Sequence, residues 1–376
     1  MTDRILEFLR TRRPEGPCVV VDLQEVRANY MAFERALPDS RIFYAVKANP
    51  APEILSALAA MGSCFDCASV VEIQSVLAAG ATAERISFGN TIKKERDIAT
   101  AHRLGVSLFA VDCLEEVAKV SRAAPGARVF CRILCDGAGA DWPLSRKFGC
   151  TPGHAPDVLE AAHRAGLTAA GISFHVGSQQ RNTEAWDAAV ASASAIFRTM
   201  AERGIRLTLV NLGGGFPARY RGDEPAAARY GLSIRESILR HFGNRVPETI
   251  IEPGRGMVGN AGILKTEVVL ISKKDPAEDT RWVYLDIGKF GGLAETMDEA
   301  IRYPIRSPRD GGEAGPCVLA GPTCDSADVL YEKTPYELPL SLEIGDELLI
   351  EGTGAYTTTY ASVGFNGFAP LKSFVI

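Results

Sequence analysis

The feature that most constrains the fold is a regular alternation of short apolar runs and amphipathic segments between residues 40 and 255. Eight apolar runs of strand length follow one another, at 42–46, 63–67, 86–89, 107–111, 129–134, 171–176, 208–212 and 249–252. Segments such as APEILSALAAMG lie between them, with apolar residues at helical spacing and glycine near their ends. Eight strand–helix units favour a closed α/β barrel of the (β/α)8 TIM type over a doubly wound open sheet, which the alternation also allows.

The rhythm changes after Arg255, where strand-like runs are no longer separated by long helices. These runs lie at 262–272, 281–288, 316–320 and 346–351, and turn-rich pieces such as SPRDGGEAGP separate them. The segment CVVVDLQEV at 18–26 is also strand-like, and we assign it to the same β-domain. The sequence therefore predicts a barrel over 28–262, a C-terminal β-sandwich or β-barrel-like domain over 263–376, and an N-terminal segment, 1–27, that joins the β-domain.

Composition excludes several classes of protein. The formal net charge is −5, and the short basic cluster at Arg10, Arg12 and Arg13 is typical of a solvated face rather than a nucleic-acid site. No run of 18 apolar residues and no secretory signal pattern occurs, so we expect no membrane partner. The nine cysteines mostly lie in apolar runs, which predicts reduced thiols in the cytoplasm. Cys64 and Cys67 lack a second pair at zinc-site spacing, so we expect no metal.

Unusual residues repeatedly occupy the ends of the predicted barrel strands, where barrel enzymes carry their reactive groups. They are Lys47 after the first strand, Asp66 late in the second, His175 near the end of the sixth, Gly213, Gly214 and Gly215 after the seventh, and Glu252 and Arg255 at the eighth. Each alone has a plainer explanation, such as a surface lysine, a core histidine, a tight turn or a structural ion pair. Together, on one rim, they favour a functional site.

This set of residues suits an anion pocket around an aromatic cofactor. Glycines let backbone N–H groups approach a phosphate closely, and an arginine adds a charge-assisted contact. A lysine at the rim can bond covalently to an aldehyde. A glutamate that faces a ring nitrogen keeps the nitrogen protonated, which makes the ring a strong electron sink.

Seven motifs, in order along almost the whole chain, resemble the fold-type III (group IV) pyridoxal-phosphate decarboxylases, most of all the ornithine and lysine/ornithine decarboxylases. They are YAVKANP at 44–50, FDCAS at 65–69, SFHVGSQ at 173–179, GGGFP at 213–217, EPGRG at 252–256, GPTCDSAD at 321–328 and GAYTTTYASVGFNGF at 354–368. The resemblance implies pyridoxal 5′-phosphate as cofactor and an amino acid as the small-molecule substrate.

The resemblance also implies roles for matching positions of this chain. Lys47 resembles the lysine that bonds to the cofactor, His175 the histidine stacked on its ring, and Glu252 the partner of its ring nitrogen. Ligands of the phosphate are implied at Ser178, Gly213, Gly214, Gly215, Arg255 and Tyr356. Asp66 and Arg132 resemble residues that support the ring and its surroundings.

The family's active site lies between two subunits, so the resemblance implies a homodimer. Cys324 and Asp325 are then expected to enter the site from the partner chain. Cys324 matches the donor of a proton to the substrate α-carbon, and Asp325 matches a ligand of the distal amine. Lys147 and Asp328 match positions that pair across the dimer interface.

One departure concerns the substrate. The family has a second acidic ligand of the distal amine, and here the stretch GKFGGLAETMDEAIRYP offers Glu295, Asp298 and Glu299 without choosing between them. Ornithine is the leading substrate, with lysine the main alternative and arginine a further one. Diaminopimelate decarboxylase is less favoured because Asp325 suits a cationic tail. Glu252 argues against a racemase, which carries arginine at the ring nitrogen. A purely binding relative would have lost some of these residues.

Overall fold

The computed structural model describes residues 2–142, 147–220 and 222–376. The chain divides into two compact units. The barrel unit comprises Arg27–Pro217 and Pro225–Met257, and the β-rich unit comprises Met1–Val26, Ala218–Glu224 and Val258–Ile376.

The strands in chain order are β1 Cys18–Val21, β2 Ser40–Ala45, β3 Cys64–Cys67, β4 Ile86–Phe88, β5 Leu108–Val111, β6 Arg128–Arg132, β7 Ala140–Trp142, β8 Thr168–Ser173, β9 Ser178–Gln180, β10 Leu209–Asn211, β11 Glu248–Ile251, β12 Gly262–Ser272, β13 Arg281–Leu285, β14 Ile305–Arg306, β15 Ala314–Ala320, β16 Val329–Leu330, β17 Tyr336–Pro339, β18 Glu347–Glu351 and β19 Lys372–Val375. The helices are α1 Asp3–Arg12, α2 Leu23–Ala36, α3 Pro52–Ala60, α4 Val70–Ala78, α5 Glu95–Arg103, α6 Leu114–Ala123, α7 Ala155–Arg164, α8 Trp186–Glu202, α9 Ala227–Phe242 and the single turn α10 Arg255–Val258.

Eight parallel strands of the barrel unit close on themselves in the order β2, β3, β4, β5, β6, β8, β10 and β11, and β11 pairs back with β2. Each strand overlaps one of the eight predicted runs, so the barrel prediction is confirmed. The barrel interior is filled by apolar side chains, namely Phe43, Cys64, Leu108, Ala110, Phe130, Ala170, Leu209 and Ile250. A packed interior leaves the strand ends, not a central pore, as the place for polar groups.

Local sequence signals explain where the surrounding helices begin and end. Pro52 occupies the first turn of α3, where its missing N–H is not needed. The hydroxyl of Ser69 accepts a hydrogen bond from the backbone N–H of Glu72 (3.2 Å) and caps α4. Gly62 and Gly80 follow α3 and α4 with φ of +92° and +97°, a conformation that stops a helix at low steric cost.

The β-rich unit contains a nine-stranded mixed sheet whose main path runs β14, β18, β12, β13, β15 and β16. The long strand β12 pairs antiparallel with β13, with β18 and with β1. The N-terminal strand β1 therefore belongs to this sheet, and it also pairs in parallel with β19.

The strand prediction at 18–26 is wrong beyond Val21. The carboxylate of Asp22 accepts the backbone N–H of Gln24 (2.9 Å), which caps a helix that begins at Leu23. The predicted run at 281–288 also stops early, at Leu285. There, Asp286 turns its carboxylate to the backbone N–H of Glu267 (2.9 Å).

Residues 218–224 interrupt the barrel sequence and belong to the β-rich unit. Tyr220 accounts for this, because its ring packs edge-on against Tyr303 with centroids 5.4 Å apart. Its hydroxyl donates a hydrogen bond to the carbonyl of Gly352 (3.3 Å). A buried aromatic side chain with a satisfied hydroxyl fixes this segment to the sheet.

Candidate active site

Polar and glycine residues collect at the carboxyl ends of six barrel strands. Lys47 lies in a short 3-10 turn two residues after β2, and Asp66 is the third residue of β3. Arg132 ends β6, His175 follows β8, the glycines at 213–215 follow β10, and Glu252 follows β11. Parallel strands of one barrel present these ends on one rim, so the structure brings the predicted barrel residues together.

Acidic side chains lie close to Lys47 on this rim. Burial, together with the negative charge of Glu252, raises the pKa of Asp66 well above its usual range, while the charge of Lys47 opposes the shift. The hydroxyl of Ser87 donates to the Asp66 carboxylate (3.1 Å). A Cβ at Gly89 would lie 1.9 Å from the same carboxylate, so only glycine leaves room for it there. Such clustered titrating groups are typical of an active site.

Glu72 is a further acidic neighbour of Lys47 that the sequence analysis missed. Burial raises its pKa, and the charge of Lys47 acts in the opposite direction. Its carboxylate accepts the backbone N–H of Ala68 (2.6 Å), while its own N–H donates to Ser69. In sequence, S-x-x-E resembles a capping box, so a purely structural explanation conceals the residue's proximity to Lys47.

The His175 imidazole is neutral. Burial and the positive charges of Arg132 and Lys47 hold its pKa well below the usual range. Its Nδ1 accepts the backbone N–H of Gly177 (3.0 Å), so the remaining proton sits on Nε2. A neutral ring with a fixed tautomer suits stacking on a flat cofactor, which is the role implied for His175.

The three glycines form a cradle in which every side chain is excluded. A Cβ at Gly213 would lie 2.0 Å from the carbonyl oxygen of Phe174, and one at Gly214 would lie 2.7 Å from that of Glu252. Gly213 and Gly215 also have φ of +67° and +106°. Bare backbone at this point gives an anion close access to N–H groups.

Aromatic packing supports the cradle from below. Phe216, directly after the glycines, stacks on Trp186 with ring centroids 5.1 Å apart and meets Tyr230 edge-on at 5.8 Å. The Trp186 indole donates to the carbonyl of Leu212 (3.0 Å), and the backbone N–H of Gln180 donates to that of Gly215 (2.9 Å). The cradle is therefore held from both ends before any ligand binds.

Arg255 supplies a positive charge beside Ser178. The arginine is buried, with 3% of its surface exposed, and its Nε and Nη2 donate to the Ser178 hydroxyl at 3.3 and 3.2 Å. Ser178 begins β9, which pairs antiparallel with β7. A buried guanidinium and a hydroxyl beside a glycine cradle form a donor set that suits a phosphate group.

The residues of the barrel rim fit pyridoxal phosphate. The cradle with Ser178 and Arg255 suits the phosphate, Glu252 suits the ring nitrogen, and Lys47 suits the aldehyde. When bound, this cofactor supplies an aromatic ring that accepts electrons from a bond broken next to the substrate amine. Fold and site thus define a pyridoxal-phosphate enzyme of the barrel type.

Cys324, Asp325 and Tyr356 lie in the β-rich unit. Cys324 is exposed, and its backbone N–H donates to the side-chain oxygen of Asn366 (2.8 Å). The Asp325 carboxylate accepts the N–H of Ala327 (2.8 Å). The ring of Tyr356 packs near that of Tyr360, with centroids 5.7 Å apart.

Asp328 and Lys147 differ in their surroundings. Asp328 is buried, with 2% of its surface exposed, and its carboxylate accepts the N–H of Lys289 (2.7 Å) and both the N–H and the hydroxyl of Thr323. Lys147, in the barrel unit, is exposed and lies 4.9 Å from the ring centre of Phe148. Their pairing across a dimer interface stays a prediction.

The three acidic candidates for the distal amine occupy different environments in a kinked turn, Ala294–Glu299. Glu295 is buried, with 5% of its surface exposed. The Asp298 side chain is 87% exposed and lies 3.7 Å from the Lys333 ammonium. The Glu299 carboxylate accepts the backbone N–H groups of Lys333 and Thr334.

Comparisons with known proteins identify the family of the chain. Residues 23–259 match the family model of the pyridoxal-dependent decarboxylase, pyridoxal binding domain. The lysine/ornithine decarboxylase of Selenomonas ruminantium is 37% identical over 98% of this chain and 91% of its own. Among solved structures, SrLDC in complex with PLP and cadaverine has a TM-score of 0.88 at 35% identity, covering 100% of this chain and 94% of its own. The arginine decarboxylase of Paramecium bursaria Chlorella virus has a TM-score of 0.91 at 28% identity, with full coverage of both chains.

The chain belongs to the pyridoxal-dependent decarboxylases, and its cofactor is pyridoxal 5′-phosphate. The resemblance, the fold class and the cofactor predicted from sequence are confirmed. In the part of the chain that the structure describes, no helix is long and apolar enough to cross a membrane.

Proposed function

We propose that the chain decarboxylates a basic amino acid, with L-ornithine as the leading substrate, and releases putrescine and CO2. The observation that carries this proposal is the rim that joins Lys47, Glu252 and the glycine cradle in one pyridoxal-binding barrel. The acidic residues Asp325 and Glu295 add the negative charge that a cationic side chain requires. The relatives' activities on lysine, ornithine and arginine support the same class of substrate.

The barrel residues would bind the cofactor and orient it. Lys47 would hold the cofactor through its side-chain amine, at the cofactor aldehyde. Glu252 would keep a proton on the ring nitrogen, and the neutral His175 would pack against the ring without adding a competing charge. Ser178, Gly213, Gly214, Gly215 and Arg255 would hold the phosphate, while Asp66 and Arg132 would support the surroundings of the ring. Tyr356, which is not a barrel residue, stays a proposed further ligand of the phosphate. A fixed electrostatic frame of this kind lowers the barrier with little reorganisation.

Cys324 carries out the proton transfer that follows loss of CO2. Its thiol delivers a proton to the substrate α-carbon, and Asp325 binds the distal amine. Both residues lie on one exposed loop, and an exposed thiol is suited to enter a second molecule's site. Loops commonly carry such groups on a rigid scaffold.

We infer a homodimer in which Cys324 and Asp325 of the partner subunit complete each site. Large exposed apolar residues near the loop that carries Cys324 and Asp325, the cysteine loop, support this dimer. Tyr360, Val363, Phe365 and Phe368 have 49%, 84%, 37% and 45% of their surface exposed. Asn366, within the same segment, holds the backbone of Cys324. An exposed apolar patch of this kind marks an interaction surface. Lys147 and Asp328 are proposed to pair across the same interface.

Glu295 is our choice for the second ligand of the distal amine. It is buried, whereas the Asp298 side chain is 87% exposed and Glu299 is partly exposed. A sheltered carboxylate binds an ammonium group more strongly than a solvated one.

The second candidate is a lysine/ornithine decarboxylase that acts as well on L-lysine and produces cadaverine. The lysine/ornithine enzyme of S. ruminantium, which matches almost the whole chain, favours it. Lysine exceeds ornithine by one methylene, a difference that changes kcat/KM by only about 10- to 200-fold in a pocket.

With ornithine as substrate, the product would feed polyamine synthesis. The nine free cysteines agree with a cytoplasmic location.

The test is CO2 release by the purified holoenzyme with L-ornithine, L-lysine, L-arginine and meso-diaminopimelate, compared as kcat/KM. A lead of about ten-fold or more for ornithine supports the first proposal. Equal or higher values for lysine support the second. Activity on none of the basic amino acids, with the cofactor bound, would overturn both.

A further inference from the structure

Asn211 is a buried polar residue at the centre of the cofactor site to which neither the motifs nor the proposed mechanism gives a role. It ends β10, has 1% of its surface exposed, and lies two residues before Gly213, the first glycine of the cradle. Its side chain makes two hydrogen bonds. Nδ2 donates to Oε1 of Glu252 (2.5 Å), and Oδ1 accepts the backbone N–H of Gly213 (3.0 Å).

The orientation of this amide follows from its partners. A backbone N–H can only donate, so the atom that faces Gly213 must be the amide oxygen. The NH2 group therefore faces Glu252, and the glutamate oxygen Oε1 is an acceptor.

A third hydrogen bond closes a ring around these residues. The backbone N–H of Glu252 donates to the carbonyl of Gly213 (2.8 Å). Asn211, Gly213 and Glu252 thus form a cycle in which each residue is both a donor and an acceptor. The cycle joins the cradle for the phosphate to the carboxylate for the ring nitrogen, which serve opposite ends of the same ligand.

We propose that Asn211 is a positioning residue that holds the glycine cradle and the Glu252 carboxylate at a fixed separation. This inference rests on the proposed role of Glu252. Because Oε1 is occupied by the amide, Oε2 is left as the carboxylate oxygen for the proton of the ring nitrogen. The amide is the only common side chain of this size that offers one acceptor to Gly213 and one donor to Glu252.

An aspartate at position 211 would separate the two functions. It keeps an acceptor for the N–H of Gly213 but places a second carboxylate against Glu252. Two adjacent carboxylates repel each other, and one of them must then hold a proton or move away. Asn211→Asp therefore tests the contact to Glu252, whereas Asn211→Ala removes both contacts.

The experiment measures the affinity of each apo variant for pyridoxal phosphate by titration of the bound-cofactor absorption, and kcat with the preferred substrate. Thr249→Val is the matched control. Thr249 lies on β11 three residues before Glu252, it is buried, and its hydroxyl forms a hydrogen bond with the hydroxyl of Ser40 (2.6 Å). We expect Asn211→Asp and Asn211→Ala to weaken cofactor binding roughly 10- to 100-fold, as loss of a hydrogen bond to a charged group does. The control should bind within about two-fold of wild type.

A double variant that exchanges the amide and the carboxylate between positions 211 and 252 gives the sharpest result. In Asn211→Asp combined with Glu252→Gln, the new amide can donate to the new carboxylate, so the hydrogen bond returns with its direction reversed. We expect cofactor affinity to recover at least about ten-fold over Asn211→Asp alone, while kcat stays as low as in Glu252→Gln.

Two outcomes separate the inference from the function on which it rests. If Asn211→Asp and Asn211→Ala bind the cofactor like Thr249→Val and keep the wild-type kcat, Asn211 has no positioning role. If Glu252→Gln keeps a normal kcat, the proposed role of Glu252 is wrong, even where the affinities follow the expected pattern.

Discussion

The barrel unit and the β-rich unit contribute to function in different ways. In the barrel unit, the candidate residues lie at the ends of strands, and backbone and side-chain hydrogen bonds hold them in place. In the β-rich unit, Cys324 and Asp325 lie on an exposed loop, and Glu295 lies in a kinked turn. The barrel unit is preorganised for one cofactor, whereas the residues proposed to select the substrate and supply the proton lie on irregular segments.

Substitution of Lys47 should have the largest effect, because no other amine is proposed to bond to the cofactor. We expect Lys47→Ala to show no measurable CO2 release, and borohydride to fix the cofactor to the wild-type protein only. Lys94→Ala provides the control for loss of a lysine, since Lys94 is exposed. Substantial turnover by Lys47→Ala would show that the barrel unit does not act as described.

Glu252→Ala should lower kcat about 10²-fold or more, which corresponds to about 2.7 kcal/mol of transition-state stabilisation. The reason is that the ring nitrogen loses the carboxylate that keeps it protonated. Steady-state kinetics at saturating cofactor and substrate measure this effect. A near-normal kcat would contradict the proposed role of Glu252 in making the cofactor ring an electron sink.

Cys324→Ala tests the β-rich unit and should lower kcat about 10²-fold, the lower end of what a positioned general acid contributes. Without the thiol, protonation at the cofactor C4′ in place of the substrate α-carbon should convert part of the product to an aldehyde, with the amine left on the cofactor. Product analysis detects this aldehyde. Cys113→Ala is a matched control, because Cys113 is a partly exposed cysteine of the barrel unit. Clean diamine at the full rate from Cys324→Ala would exclude this thiol as the proton donor.

Glu295→Ala should raise KM for the basic substrate, with about a ten-fold loss of kcat/KM, because a buried carboxylate no longer meets the distal amine. Asp298→Ala is its matched control and should change kcat/KM little, since that side chain is 87% exposed. The reverse ranking of the two variants would transfer the role to Asp298.

The smallest effect concerns stability at low pH in the barrel unit. The pKa of His175 is depressed in the folded protein, so below about pH 6.5 the unfolded chain binds a proton that the folded chain does not. Folding stability of the apo-protein should therefore fall as the pH drops below that range. Urea titrations at pH 8 and pH 5.5 should show a smaller acid-induced loss in His175→Phe than in wild type. An equal loss in both proteins would contradict a neutral buried imidazole.

Much of the barrel could be predicted from sequence because strand ends in a parallel barrel must share one rim. Lys47, His175, the glycines and Glu252 all lie at or just past the carboxyl ends of predicted strands, so the fold itself brings them together. Glu72 and Asn211 were missed because each has an ordinary local explanation, as a helix cap and as a strand residue. Only three-dimensional contacts show that Asn211 joins the cradle to Glu252.

The β-rich unit was harder to predict for physical reasons. Asp298 and Glu299 adopt φ of +54° and +60°, a conformation that non-glycine residues rarely take and that local pattern does not indicate. The contribution of residues 218–224 depends on one buried tyrosine, Tyr220, whose partners are remote in sequence. Residues proposed to act in another subunit leave no signal of that role in the periodicity of their own chain.

The most direct test of the account is a complementation experiment between the two units. Lys47→Ala and Cys324→Ala proteins are each purified, mixed in equal amounts under conditions that exchange subunits, and assayed for CO2 release. A site built from the barrel unit of one chain and the cysteine loop of the other predicts recovery to about a quarter of wild-type activity, because half the dimers then hold one intact site. Activity of the mixture no higher than the average of the separate variants, with subunit exchange verified, would contradict a shared site.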